Sequence, residues 1–139
     1  MQLPQALIDA VGLATMVVRP GDTAVAMGIG DLPVASNSHY LHLMESAAIG
    51  ALAEHLDSGE TSRLLSIDLE VMAAVSIGVE IRAIANCVEV DGKNVRFNCD
   101  IYDGERHVAT AQMKRAVVER VSFLARTAAQ TLTAQAPIN

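Results

Sequence analysis

Tryptophan is absent from this 139-residue chain, and two Tyr and two Phe bring the aromatics to only 3%. A core must therefore be filled by Ala, Val, Ile, Leu and Met rather than by rings. A basic excess is missing too: Asp and Glu outnumber Lys and Arg by 16 to 10, for a formal net charge of −6. That balance does not supply the phosphate neutralisation a general nucleic-acid binder needs, so no nucleic-acid partner is expected. No run reaches the ~18 apolar residues of a membrane span, so no membrane partner is expected. The start, Met1-Gln2-Leu3-Pro4-Gln5, has neither the basic stretch nor the apolar run of a secretory leader. The expectation is a cytoplasmic protein.

Cysteine is scarce as well, with only Cys87 and Cys99. Both fall in neighbouring strands joined by the turn Asp91-Gly92-Lys93-Asn94. If Val90 faces Val95, then Glu89 faces Arg96, Val88 faces Phe97 and Ile84 faces Ile101. Cys87 then opposes Asn98, Cys99 opposes Asn86, and free thiols are expected.

What is present is ample aliphatic surface: 51% of the residues are hydrophobic, and 139 residues suit one domain with a real core. Residues 1–139 are read as that single domain. Residues 12–29 read as two short strands around the turn Arg19-Pro20-Gly21-Asp22. The polar cluster Ser36-Asn37-Ser38 then precedes a Pro-free helical run over residues 38–56 and is placed to cap it. From Leu65 to Val71 the period changes to two, which indicates a half-buried strand. Strands follow over Gly78–Val90, Val95–Tyr102 and His107–Val118, and a terminal helix places Val121, Leu124, Ala125, Ala128 and Leu132 on one face. Hairpin-linked strands with segregated helices make the fold class α+β, with a curved antiparallel sheet around the long helix.

That helix carries one carboxylate out of pattern. At 100° per residue, Leu41, Met44, Ala48, Ala51, Leu52 and Leu56 share a sector, and Glu45 falls inside it. A carboxylate among apolar neighbours needs a partner or a function. It either satisfies a polar group at the core or an interface, or acts as a general base or nucleophile tuned by its pocket. His42, three residues earlier, can reach Glu45, and His39 lies further round. Both are otherwise ordinary helix-edge histidines. No Cys, His and carboxylate spacing matches a zinc site, so no metal is expected. Ser36, Asn37 and Ser38 serve as caps, and the N–H groups of the same helix start could also stabilise a carbonyl gaining negative charge.

The stretch from Leu32-Pro33-Val34 through Asn37 to Met44-Glu45-Ser46 resembles the helix-start motif of the fluoroacetyl-CoA thioesterase-like branch of hotdog proteins. The similarity extends to Ala73-Ala74-Val75-Ser76-Ile77-Gly78, to Tyr102-Asp103-Gly104 and to Lys114-Arg115-Ala116-Val117, and spans roughly residues 12–125. The resemblance implies a homodimer with joined sheets, which could assemble further, and acyl-CoA sites near the dimer interface. Glu45 falls on the family's catalytic glutamate. Asn37 stands where the family has a Thr, and Val71 where it has a His.

The leading expectation is hydrolysis of a small or medium acyl-CoA thioester. Glu45 acts as base or nucleophile, Asn37 orients the reacting group, and His42 is a substitute acid-base group. Ser36, Ser38, Val71, Lys114 and Arg115 contact substrate, the basic pair being placed for a CoA phosphate or simply for solvation or a salt bridge. No cofactor is expected beyond coenzyme A as part of the substrate. The alternative is a hotdog protein that binds an acyl-CoA or small ligand without hydrolysis, since Val71 removes the family His. A hotdog dehydratase ranks below both, because its His motifs are not evident.

Overall fold

Alternation of apolar and polar residues organises the larger part of the regular structure into strands. The computed structural model describes residues 4–134; Met1–Leu3, part of the leader reading, and residues 135–139 lie outside the described residues. The strands are β1 (Val11–Val17), β2 (Glu60–Val71), β3 (Glu80–Asp91), β4 (Asn94–Asp103) and β5 (Arg106–Glu119). The helices are α1 (Pro4–Leu7), α2 (Asn37–Leu52) and α3 (Arg120–Ala134). One sheet holds all five strands in the order β1-β3-β4-β5-β2, with every neighbouring pair antiparallel. The fold is α+β, as expected.

Inward-facing Ile81, Ala83 and Ala85 of β3, with Phe97 and Ile101 of β4, are buried with the Tyr40, Met44, Ala47, Ala48 and Ala51 face of α2. Small residues let the helix lie directly on the sheet. A Cβ added to Gly12 of β1 would overlap the carbonyl oxygen of Ala47, so helix and strand meet backbone to backbone there. α2 rests mainly on β1 and β3. Ser62, Leu64, Ile67 and Leu69 of β2 are left only half-buried, and among the described residues β2 has no neighbour on its outer edge.

Two expectations are corrected. The second short strand within residues 12–29 does not form. Thr23 Oγ1 donates to Pro20 O at 3.0 Å and accepts from Ala26 N at 3.2 Å, coiling the chain, and Gly28 and Gly30 close the turn at φ 74° and 92°. In the β3–β4 hairpin, Val90↔Val95 and Glu89↔Arg96 pair as expected, but the register then shifts by one. A β-bulge at Val88 sets Cys87 opposite Phe97 and Ile84 opposite Asp100, because burying Cys87 and exposing Val88 keeps one apolar face toward the helix. Both cysteines are nonetheless free and buried, and burial pushes the Cys99 thiol up to about 12. The face that Val121, Leu124 and Leu132 share on α3 is exposed. The helix touches the body instead through Phe123, whose ring lies 5.4 Å from the Arg63 guanidinium.

Candidate active site

The α2 start is built by its cap. Ser36 is buried, its Oγ accepts from Ser38 N at 3.3 Å and lies 2.6 Å from Ser38 Oγ, and its N–H donates to Asp22 O. The Ser38 N–H, offered by the sequence as a carbonyl donor, is therefore consumed by capping. The His39 N–H is likewise taken by Ser36 O. The free donors at this end are on Asn37: neither its backbone N–H nor its carboxamide has a hydrogen-bond partner among the described residues, and its side chain is exposed.

Asn37, Leu41, Glu45 and Ile49 recur every four residues along one flank of α2. Glu45 is not enclosed in the apolar sector that the projection indicated. Apolar residues lie nearly all round this helix, so the projection cannot select the buried side. The true core face is centred on Met44, Ala47 and Ala51, and Glu45 stands at its border with its side chain 35% exposed. Its partner is Arg115 of β5, whose Nη1 donates to Glu45 Oε1 at 2.7 Å. Arg115 is buried, and Ser62 satisfies the rest of its guanidinium: Nε donates to Ser62 Oγ at 3.0 Å and Nη2 to Ser62 O at 3.3 Å. This clamp fixes one carboxylate oxygen and leaves Oε2 without a partner among the described residues.

Sequence reading missed this pairing. The signal was present, since Arg115 occupies the inward register of Ala109, Ala111, Met113 and Val117, the one charge in that alternation. Lys114 points to the opposite, exposed face, where it is paired with Arg96 across β4, so Lys114 and Arg115 cannot hold one phosphate together. Val71 ends β2, pairs with Ala109 and is 38% exposed.

The two histidines turn away from Glu45. His39 and His42 line a cleft on the other flank of α2, against Thr15 and Met16 of β1 and beside Asp22. No hydrogen bond joins His42 to Glu45 among the described residues. His39 Nε2 lies 3.4 Å from Asp22 Oδ1, close enough for an ionic contact but not aligned as a hydrogen bond. The backbone N–H of Arg19, then the charges of His39 and Arg19, hold the Asp22 carboxyl below its usual range. Among the described residues no set of three His, Cys, Asp or Glu side chains gathers as a metal site, and no helix is long and apolar enough to cross a membrane.

A second cleft of about 280 Å³ opens beside Asn37, walled by Ile29, Leu32 and Val34 of the preceding loop. It lies at the far end of the Asn37–Glu45 flank, and eight residues of helix, about 12 Å, separate the two side chains' backbones.

The model of the fluoroacetyl-CoA-specific thioesterase family matches residues 18–121. A solved structure of the fluoroacetyl-CoA thioesterase superposes with a TM-score of 0.80 at 23% identity, covering 94% of this chain and 97% of that one. A Thermus thermophilus thioesterase superfamily member gives 0.84 at 18% identity, covering 97% and 100%. A hot-dog-like protein from Thermanaerovibrio acidaminovorans gives 0.82 at 20% identity, covering 94% and 97%. At these identities the likeness speaks for the fold alone, which is the hotdog fold. No curated protein matches the chain in sequence.

Proposed function

The chain belongs to the fluoroacetyl-CoA-specific thioesterase family, and from that premise we propose that it hydrolyses an acyl-CoA thioester with Glu45 as base toward water or as nucleophile. The observation that carries the assignment is the Arg115 clamp: one oxygen of Glu45 is held at 2.7 Å while the other is left free on an exposed flank. A carboxylate oriented in this way can take a proton without moving.

In the general-base version, Glu45 Oε2 removes a proton from water as the hydroxide oxygen bonds to the thioester carbon. The carbonyl oxygen takes up the negative charge, where N–H donors stabilise it. Collapse re-forms the carbonyl and breaks the C–S bond, and the proton held by Glu45 goes to the departing CoA sulfur. The fit of Asn37 as the N–H donor depends on a second copy. Ser62 at the start of β2 lies beside Glu45 through Arg115, whereas the chain beyond Val71 reaches the α2 start, where Ala35 N bonds Val75 O. Antiparallel two-fold pairing along the open edge of β2 would set the start of one β2 opposite the end of the other. Glu45 then faces the partner's Asn37, and a homodimer completes the site.

The test is hydrolysis of a panel of acyl-CoAs by the protein and by Glu45→Gln. Turnover should fall at least ~10²-fold in the variant; unchanged turnover removes Glu45 from the mechanism. A second reading is favoured by one observation, Val71 at the family's His position: an acyl-CoA binder that does not hydrolyse. Calorimetry showing tight binding of a non-hydrolysable CoA thioether, with no turnover of the matching thioester, would select it.

A further inference from the structure

The loop from Thr23 to Val34 turns apolar side chains to solvent and yet is firmly held. Ile29 is 58% exposed and Leu32 62%, with Val25 and Met27 also exposed close by. Thr23 anchors the loop from within at 2% exposure, and backbone bonds Ala24 N→Val34 O at 2.9 Å, Val25 N→Leu32 O at 3.2 Å and Ile29 N→Ala24 O at 2.8 Å lace it across. A laced loop cannot fold its apolar side chains inward, so they stand as a preformed apolar wall.

That wall faces the cleft of about 280 Å³ whose opposite end is Asn37, with its unpartnered N–H and carboxamide. An apolar trough ending in hydrogen-bond donors matches an aliphatic tail ending in a carbonyl. The volume is near the lower end of the ~300–1,000 Å³ typical of small-molecule sites, enough for a tail and not for a nucleotide. At the ~30 Å³ a water-sized group takes up in a liquid, it holds about nine such groups, which is room for a carbonyl and a tail that brings the acyl group to roughly six to eight carbons. Asp31 also lines the cleft, and its exposed carboxylate would repel a second carboxylate at the end of an acyl chain.

We infer that this cleft is an acyl-tail subsite that selects uncharged aliphatic acyl groups of medium length, with Ile29 and Leu32 as the specificity-determining residues. The inference rests on the thioester reading of Glu45 and Asn37, and it names the substrate class for that site. It predicts that kcat/KM rises with chain length, because each methylene laid on the wall leaves water.

The experiment measures kcat/KM for acetyl-, butanoyl-, hexanoyl-, octanoyl- and succinyl-CoA, and in parallel the binding of S-ethyl-, S-hexyl- and S-octyl-CoA thioethers by calorimetry. The expected result is a rise of roughly twofold to fourfold per methylene up to six to eight carbons. Succinyl-CoA should fall at least about tenfold below butanoyl-CoA. Leu32→Asn, at an exposed position where the fold is not at risk, should flatten the slope, and Ile29→Asn should do the same. Hydrolysis that is flat or falling with chain length overturns the inference and leaves the thioesterase reading intact. Absence of hydrolysis with thioether binding that still strengthens with length overturns hydrolysis and supports the subsite. Neither trend overturns both, and an unchanged slope in both Asn variants overturns the assignment to this cleft.

Discussion

Glu45 and Arg115 are unequal partners in one ion pair, and the inequality has a measurable consequence. The Arg115 side chain is 4% exposed and that of Glu45 35%, so water can reach the carboxylate but not the guanidinium. Glu45→Ala leaves a buried cation with only Ser62 for company and should cost ~3 kcal/mol. Arg115→Met leaves a carboxylate that water can solvate, and should cost about 1 kcal/mol or less. Urea denaturation of both variants checks the order, and equal losses would mean that the pair is hydrated as a unit. Glu45 was legible as a carboxylate out of pattern in an apolar helix. Its depth was not, because Ala and Leu surround α2 on nearly every side and only the sheet decides which side is covered. Arg115 was legible in principle from strand alternation, but its partner lies 70 residues away in sequence.

Individual elements show where a single atom or proton sets the assembly. Gly12 of β1 meets the α2 backbone at Ala47 and Ala51, so Gly12→Ala must push helix and strand apart. A loss of ~2–3 kcal/mol is expected in chemical denaturation. The control is Gly21→Ala, where an added Cβ meets nothing within 4 Å, and its effect should stay within ~0.5 kcal/mol. The start of β2 is tied to the β3–β4 turn by Lys93 Nζ on Glu60 Oε2 at 2.7 Å. The Lys93 ammonium, the largest cause, helps hold the Glu60 carboxyl down to about 2 from its ordinary 4.5. Because the folded value is depressed, this stabilisation is present above about 4.5 and is lost as pH falls toward about 2. Thermal midpoints across that window should drop more for the wild type than for Glu60→Gln; parallel curves would show that the carboxylate contributes nothing. Strand existence was readable from the alternation, whereas the bulge at Val88 was not, because either register leaves plausible cross-strand pairs until the helix demands one buried face.

At the scale of the whole molecule, the open edge of β2 and its half-buried inner face fit the proposed homodimer. Sedimentation should give twice the chain mass at micromolar concentration, and a concentration-independent monomer would leave Glu45 and Asn37 too far apart to serve one thioester as proposed. By itself the sequence determined the α+β class, the long helix capped from the Ser36-Asn37-Ser38 cluster, the four strands that follow it, the free cysteines and the family, because each follows from local periodicity, turn chemistry or a contiguous motif. Only the tertiary structure decided that Glu45 is the partner Arg115 clamps, that His39 and His42 belong to the opposite flank of α2, that the Ser38 N–H is spent on the cap, and that residues 23–34 form an exposed apolar wall. Those four depend on which surfaces the sheet covers and on bonds between distant segments, and neither is encoded in the spacing of neighbours along the chain.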